Sequence, residues 1–164
     1  MFANRSRSSI VLAAALALGL GLSACAHKND NLAAGYGAAI PGTVQDFNQT
    51  VGDRVFFDTD QTDLSSRAQA TLDKQAAWLN QYSKYNFTIE GHADERGTRE
   101  YNFALGWRRA QTVHDYLAAK GVSPSRMKTI SYGKERPVAT CDNISCWSQN
   151  RRAVTVLSGA PGSS

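Results

Sequence analysis

Residues 91–102 read G-H-A-D-E-R-G-T-R-E-Y-N and connect a predicted strand to a predicted helix. The four residues before them, F-T-I-E, alternate apolar and polar side chains in the pattern of a half-buried strand. Residues 103–120 carry apolar side chains at helical spacing, and Gly121 then provides a stop signal. Gly91 and Gly97 let the backbone turn tightly, and the charged and amide side chains between them supply donors and acceptors. This composition is typical of a recognition loop.

Arg109 lies on the apolar stripe of the predicted helix. At roughly 100° per residue, it falls between Leu105 and Val113 around the helix axis. A guanidinium that faces the core needs a partner, because an unpaired buried charge is costly, and Asp94 is the nearest carboxylate in the motif. Two interpretations follow from the spacing. The residues form a structural ion pair, which is the commoner cause of such a pattern, or they are held apart to bind a zwitterionic ligand.

The segment from residue 91 to residue 110 closely resembles the signature of OmpA-like peptidoglycan-binding domains, in particular the lipoproteins of the Tol–Pal system. Further matches are F-F-D-T-D at residues 56–60, S-Y-G-K-E-R-P at 131–137 and S-Q-N-R-R-A-V at 148–154. The resemblance spans residues 51–157. It implies an outer-membrane lipoprotein that binds the diaminopimelate stem peptide of peptidoglycan non-covalently, for envelope integrity and for constriction during cell division.

The resemblance also assigns roles to individual residues. Asp94 is expected to bind the ammonium of diaminopimelate and Arg109 its carboxylate, which favours the interpretation in which the two are held apart. The other expected members of the peptidoglycan-binding site, which shape the pocket or add hydrogen bonds, are Phe57, Asp58, Ala93, Thr98 and Asn102. The protein partners implied are TolB, on an overlapping face, and TolA.

The chain begins with the features of a bacterial lipoprotein signal peptide. Arg5 and Arg7 precede an apolar run at residues 10–22, which is shorter than the roughly 18 residues that span a bilayer. The following L-S-A-C resembles a lipobox, which predicts lipidation of Cys25 and stable membrane anchoring by several acyl chains. Ala26 follows the cysteine, which resembles the pattern of lipoproteins sent to the outer membrane. We therefore expect a lipid-anchored protein whose domain faces the periplasm.

The predicted domain organisation has four parts. Residues 1–24 are the signal peptide, 25–50 the lipidated cysteine and a flexible tether, 51–158 the OmpA-like domain, and 159–164 a disordered tail. Within the domain, strands are predicted at residues 54–57, 87–90, 127–132 and 153–157, and helices at 66–82 and 103–120. Ser66 and Gln69 are predicted to form a capping box for the first helix. The fold class is α/β (α+β), a two-layer sandwich with a mixed sheet of about four strands and two main helices on one face.

Cys141 and Cys146 are predicted to form a disulfide. Once Cys25 is lipidated, two of the three cysteines remain, and an exported protein lies in an oxidising compartment. So short a loop contributes only about 2 kcal/mol in the chain-entropy model. The disulfide is therefore expected to fasten a loop and not to determine the fold.

Other functional classes find less support in the sequence. A metal-dependent wall hydrolase could use His92 and Asp94, but no H-x-x-x-H motif, second histidine cluster or nucleophile setting accompanies them. A purely structural, partner-binding lipoprotein would instead pair Asp94 with Arg109. The net charge of +4 does not indicate nucleic-acid binding, because no basic run exceeds two residues. We predict a binding protein that is not an enzyme and has no metal or cofactor.

Overall fold

The computed structural model describes residues 39–158, which form a four-stranded sheet with helices packed against it. The strands are β1 (Arg54–Phe56), β2 (Asn86–His92), β3 (Met127–Gly133) and β4 (Arg152–Ser158), in the spatial order β1-β4-β2-β3. Strand β2 is parallel to β3, whereas β4 is antiparallel to both β1 and β2. The predicted mixed sheet is therefore confirmed.

The helices are α1 (Val44–Asp46), α2 (Ser66–Gln81), α3 (Arg99–Ala119) and α4 (Ile144–Asn150). A π-helical segment, Phe47–Gly52, continues α1, and a 3₁₀ turn, Pro124–Arg126, precedes β3. None of the helices between residues 39 and 158 combines the length and apolar character that a membrane crossing requires.

The core lies between one face of the sheet and helices α2 and α3. Alternate residues of the strands face this layer, and Phe87 and Ile89 of β2 are at most 1% exposed. Leu72 of α2 and Leu117 of α3 meet them from the helical layer, and each is fully buried. The two-layer arrangement with both main helices on one face is the predicted one.

The folded domain extends further toward the N-terminus than predicted. Phe47 is fully buried in the core, although residues up to 50 were predicted to belong to the tether. Asp46 accepts hydrogen bonds from the Trp78 indole at 2.8 Å and from the Gly42 amide at 2.9 Å. These contacts correct the boundary, since the chain is packed onto α2 from Gly42 onward. The signal peptide, Cys25, the rest of the tether and the tail at 159–164 lie outside the described residues.

Two further differences concern helix ends and a helix that the sequence did not reveal. Ser65, and not Ser66, is the N-cap of α2, and its hydroxyl accepts a hydrogen bond from the Ala68 amide at 3.2 Å. Helix α4 was not predicted; it follows Cys141 and contains Cys146, and the two cysteines form a disulfide.

The predicted end of α3 agrees with the structure. Gly121 follows α3 with a φ of +88°, as expected of a helix stop.

Helix α3 packs on β2 through direct backbone contact between two glycines. A Cβ atom added to Gly91 would lie 1.8 Å from the Gly106 carbonyl oxygen. A Cβ atom added to Gly106 would lie 2.5 Å from the Ser131 Oγ. This close approach fixes the N-terminal half of α3 against the end of β2, and so limits how the loop that connects them can move.

We predict that Gly91→Ala destabilises the domain by about 3 kcal/mol, because the new methyl group can be accommodated only if α3 moves away from the sheet. The free energy of unfolding is measured by urea denaturation. Gly121→Ala serves as the matched control. A Cβ atom added to Gly121 would lie 3.7 Å from its nearest neighbour, Asn80 Nδ2, so only the positive φ opposes a side chain there. This control is expected to cost about 1 kcal/mol. Equal losses in the two variants would contradict the backbone contact.

Candidate functional site

The loop between β2 and α3 is fixed at both ends by hydrogen bonds. The Ala93 amide donates to the Gly133 carbonyl at 2.8 Å, which ties the loop to the end of β3. At the other end Thr98 is the N-cap of α3, and its hydroxyl accepts from the Tyr101 amide at 3.2 Å. Gly97 has a φ of +85°, a conformation that favours glycine. The four residues from Asp94 to Gly97 are thus held on a rigid frame.

Asp94 is 7% exposed and is surrounded by guanidinium groups. Arg96 binds it along one edge, with Nη2 at 2.7 Å from Oδ2 and Nε at 3.1 Å from Oδ1. Arg151 donates from Nη1 to Oδ2 at 3.3 Å. Burial opposes the ionisation of Asp94, but the hydrogen bonds from Arg96 and Arg151 outweigh it and hold the pKa of this carboxyl below its ordinary value. The carboxylate is therefore ionised at neutral pH.

Arg109 is fully buried, as its position on the helical stripe predicts. Its guanidinium donates to three backbone carbonyls, those of Gln61 at 2.9 Å, His92 at 2.8 Å and Asp58 at 3.1 Å. Burial, followed by the nearby charge of Arg151, lowers the pKa of Arg109 to about 10, so the group remains protonated at neutral pH. Three of the five N–H donors are used. Among the described residues, one hydrogen on each Nη therefore has no acceptor.

A direct ion pair between Asp94 and Arg109, one of the two sequence interpretations, is wrong. Asp94 pairs with Arg96 and Arg151, whereas Arg109 donates to three backbone carbonyls and pairs with no carboxylate within residues 39–158. The two charged groups nevertheless interact, since the charge of Asp94 favours the protonated form of Arg109. They lie near each other and remain separate.

The remaining predicted site residues lie at the same end of the fold. Phe57 is 4% exposed, and its ring centre lies 5.1 Å from the Arg109 guanidinium carbon. Asp58 contributes its backbone carbonyl to Arg109 and exposes its side chain. Asn102 is 2% exposed and donates to the Arg96 carbonyl at 2.7 Å, so its amide supports the loop.

A surface pocket of about 210 Å³ opens beside this constellation. The residues that line it are Asp60, Asp94, Arg96, Gly97 and Tyr101. Larger cavities of about 450 and 630 Å³ lie elsewhere and are lined by neither Asp94 nor Arg109. The smaller pocket is the candidate site because it combines an ionised carboxylate with an accessible guanidinium, a combination that volume alone does not supply.

Sequence reasoning missed Arg96, Arg151, Asp60 and Tyr101 as members of the site. Arg151 could have been noticed because it belongs to the segment S-Q-N-R-R-A-V, which matches the family. Its spacing does not indicate its partner, however, since Asp94 lies 57 positions earlier in the chain. Arg96 was part of the recognition loop without an assigned partner. Both residues were missed because their role depends on tertiary contacts.

His92 is a packed residue at the end of β2. It is 2% exposed, its ring centre lies 5.5 Å from that of Tyr132, and its ring nitrogens have no hydrogen-bond partner among the described residues. Burial, and next the charges of Arg152 and Arg136, lower the pKa of His92 to about 3. Between residues 39 and 158, no three His, Cys, Asp or Glu side chains are placed to share a metal ion.

The chain is similar to known proteins over most of its length. The model of the OmpA family matches residues 56–151. Over 152 residues, 89% of this chain and 86% of the relative, it is 64% identical to the peptidoglycan-associated lipoprotein of Rhizobium meliloti (strain 1021). The crystal structure of the peptidoglycan-associated lipoprotein from Burkholderia pseudomallei has 40% identity and a TM-score of 0.63, with 65% of this chain and 90% of that chain covered. The C-terminal domain of Helicobacter pylori MotB shares the fold, with 20% identity and a TM-score of 0.62 over 66% of this chain and 86% of that chain.

We predict that the stabilising contribution of Asp94 depends on pH. Because the folded-state pKa of Asp94 lies below its ordinary value, the contribution is present above about pH 4 and is lost as the pH falls through the folded-state pKa. The difference in free energy of unfolding between wild type and Asp94→Asn should therefore narrow on acidification from pH 6 to pH 2. It is measured by urea denaturation at each pH.

Asp142→Asn is the control for the loss of one carboxylate. Asp142 is exposed, and within residues 39–158 it makes no hydrogen bond, so its replacement should leave the pH profile of stability unchanged. A difference between wild type and Asp94→Asn that stays constant over this range would show that the arginine contacts do not stabilise the ionised form.

Proposed function

Because the chain belongs to the OmpA family and, within it, to the peptidoglycan-associated lipoproteins, we propose that its domain binds the diaminopimelate stem peptide of peptidoglycan at the loop between β2 and α3. Membership of this family confirms the prediction that the protein is not an enzyme. The observation that carries the proposal is the separation of Asp94 from Arg109, which leaves an anion and a cation unpaired with each other at one end of the fold.

Asp94 is the proposed partner of the diaminopimelate ammonium. It lines the surface pocket and is ionised at neutral pH, so it presents a negative charge where a ligand can approach. Its low exposure of 7% strengthens the attraction, since little water screens it. Ala93 and Thr98 fix the ends of its loop, which keeps the carboxylate in place before the ligand arrives.

Arg109 is the proposed partner of the diaminopimelate carboxylate. Two of its N–H groups, one on each Nη, make no hydrogen bond within residues 39–158, and a carboxylate is an acceptor that a guanidinium binds strongly. Because the guanidinium is fully buried, the ligand reaches it only when the turn at residues 58–61 moves. That turn is exposed, and Arg109 itself holds it through the Asp58 and Gln61 carbonyls, so the ligand carboxylate would replace these carbonyls as the acceptor when the turn moves.

The cellular role follows from this binding activity. We propose that lipid on Cys25 anchors the protein in the outer membrane, and that the domain links this membrane to the cell wall from the periplasmic side. In this scheme the protein is part of the Tol–Pal system, with TolB binding an overlapping face and TolA as a further partner. The linkage would support envelope integrity and constriction during cell division.

We predict that the full-length protein, kept in detergent micelles, binds a diaminopimelate-containing muropeptide about 30-fold more tightly than the corresponding lysine-containing muropeptide. Lysine retains the ammonium for Asp94 but lacks the carboxylate for Arg109. Calorimetric titration measures both affinities. Exchanging the ligand group tests Arg109 without mutating it, which matters because a variant would leave three backbone carbonyls without their donor.

Asp94→Asn provides the complementary variant and should weaken the binding of both muropeptides. Circular dichroism and thermal unfolding verify that the variant is folded. Equal affinity of the wild type for the two muropeptides would refute the assignment of Arg109, and binding of neither would refute the proposed function.

A further inference from the structure

Arg96 has an open hydrogen-bonding edge in the candidate pocket. Its side chain is 41% exposed, and its Nε and Nη2 are engaged by Asp94 at 3.1 and 2.7 Å. Nη1 makes no hydrogen bond within residues 39–158, and Nη2 otherwise reaches only the Thr59 hydroxyl, at 3.5 Å. The edge formed by Nη1 and Nη2 can therefore donate two parallel hydrogen bonds, the geometry that matches a carboxylate.

Of the three guanidinium groups around Asp94, Arg96 is the accessible one. Arg109 is fully buried, and Arg151 is 5% exposed and also donates to the Phe57 carbonyl at 3.0 Å. Arg96, by contrast, lines the pocket. A ligand that enters the pocket can therefore contact this guanidinium.

Trp147 packs against Arg96. The guanidinium carbon of Arg96 lies 4.2 Å from the centre of the Trp147 ring, which is a cation–π contact. The indole nitrogen of Trp147 also donates to the Glu95 carboxylate, so one side chain fixes two consecutive loop residues. Trp147 follows Cys146 in α4, and the disulfide to Cys141 restrains that helix.

We infer that Arg96 is a second carboxylate-binding residue of the pocket, and that Trp147 is the positioning residue that aims its open edge. The inference rests on the proposed function, because it assigns Arg96 to the same stem peptide. This ligand carries carboxylates besides the one assigned to Arg109, at its glutamate residue and at its C-terminus. Arg96 and Asp94 remain paired in this arrangement, since the edge that binds Asp94 is not the edge offered to the ligand.

The experiment compares three muropeptides that contain diaminopimelate. One has all its carboxylates free, one is amidated at the C-terminus, and one is amidated at glutamate. Calorimetric titration of the full-length protein in detergent micelles should show about tenfold weaker binding when the carboxylate that Arg96 recognises is amidated. The amidated muropeptide that binds more weakly identifies which of the two carboxylates Arg96 recognises.

Each variant is characterised by one ratio, its affinity for the muropeptide with free carboxylates divided by its affinity for the amidated muropeptide. Arg96→Gln should bring this ratio to within twofold of one, and Trp147→Ala should reduce it severalfold, because the guanidinium is no longer aimed. Trp147→Phe keeps an aromatic face and should retain most of the ratio. Ile144→Ala, which removes an exposed side chain from the same helix, is the matched control and should keep the full ratio.

The ratio separates positioning from general destabilisation, since a loosened fold weakens the binding of free and amidated muropeptides alike. Tight binding by the wild type with no effect of either amidation overturns this inference and leaves the proposed function intact. An unchanged ratio in a folded Trp147→Ala variant overturns the role of Trp147. Absence of binding to all three muropeptides removes the proposed function and this inference with it.

Discussion

The structure depends on how a buried positive charge is satisfied. Arg109 is fully buried on α3, and its guanidinium joins three chain segments by donating hydrogen bonds to backbone carbonyls. Two of these carbonyls belong to the turn after β1, and the third belongs to the last residue of β2. Leaving such a charge unpaired would cost several kcal/mol, so the turn, the strand end and the helix are arranged around it. The candidate site is the surface of this arrangement.

The position of Arg109 could be predicted from sequence, and its partners could not. Helical periodicity places it on the buried stripe, because periodicity is a property of neighbouring residues along one element. Its partners are main-chain carbonyls of Asp58, Gln61 and His92, and any residue type offers a carbonyl. The sequence analysis considered side chains as partners of Arg109, and it therefore selected Asp94, the nearest carboxylate in the motif. The correct partners depend on the path of the backbone, which the sequence pattern does not show.

The elements that sequence reasoning missed share a physical cause. Helix α4 has seven residues and the helical segment that contains Phe47 is also short, so neither displays two full turns of a periodic apolar pattern. Their stability comes from tertiary contacts, such as the Trp78 indole on Asp46 and the disulfide at Cys146. The four strands and the two long helices were found within a few residues of their ends, because their patterns are long enough to be read locally.

The same residues stabilise the fold and form the candidate site, and this constrains how function can be assigned. Arg151 supports Asp94 and also holds the Phe57 carbonyl, while Asn102 fixes the Arg96 carbonyl from within α3. Removing any of them disturbs both the stability of the domain and the charge at the pocket, so a loss of binding in such a variant has two explanations. Arg96 is different, since it is partly exposed and its contacts lie at the edge of the core. Its exposed edge is therefore a place where recognition can be altered without opening the core, and changes in the ligand are the more decisive probes of the buried residues.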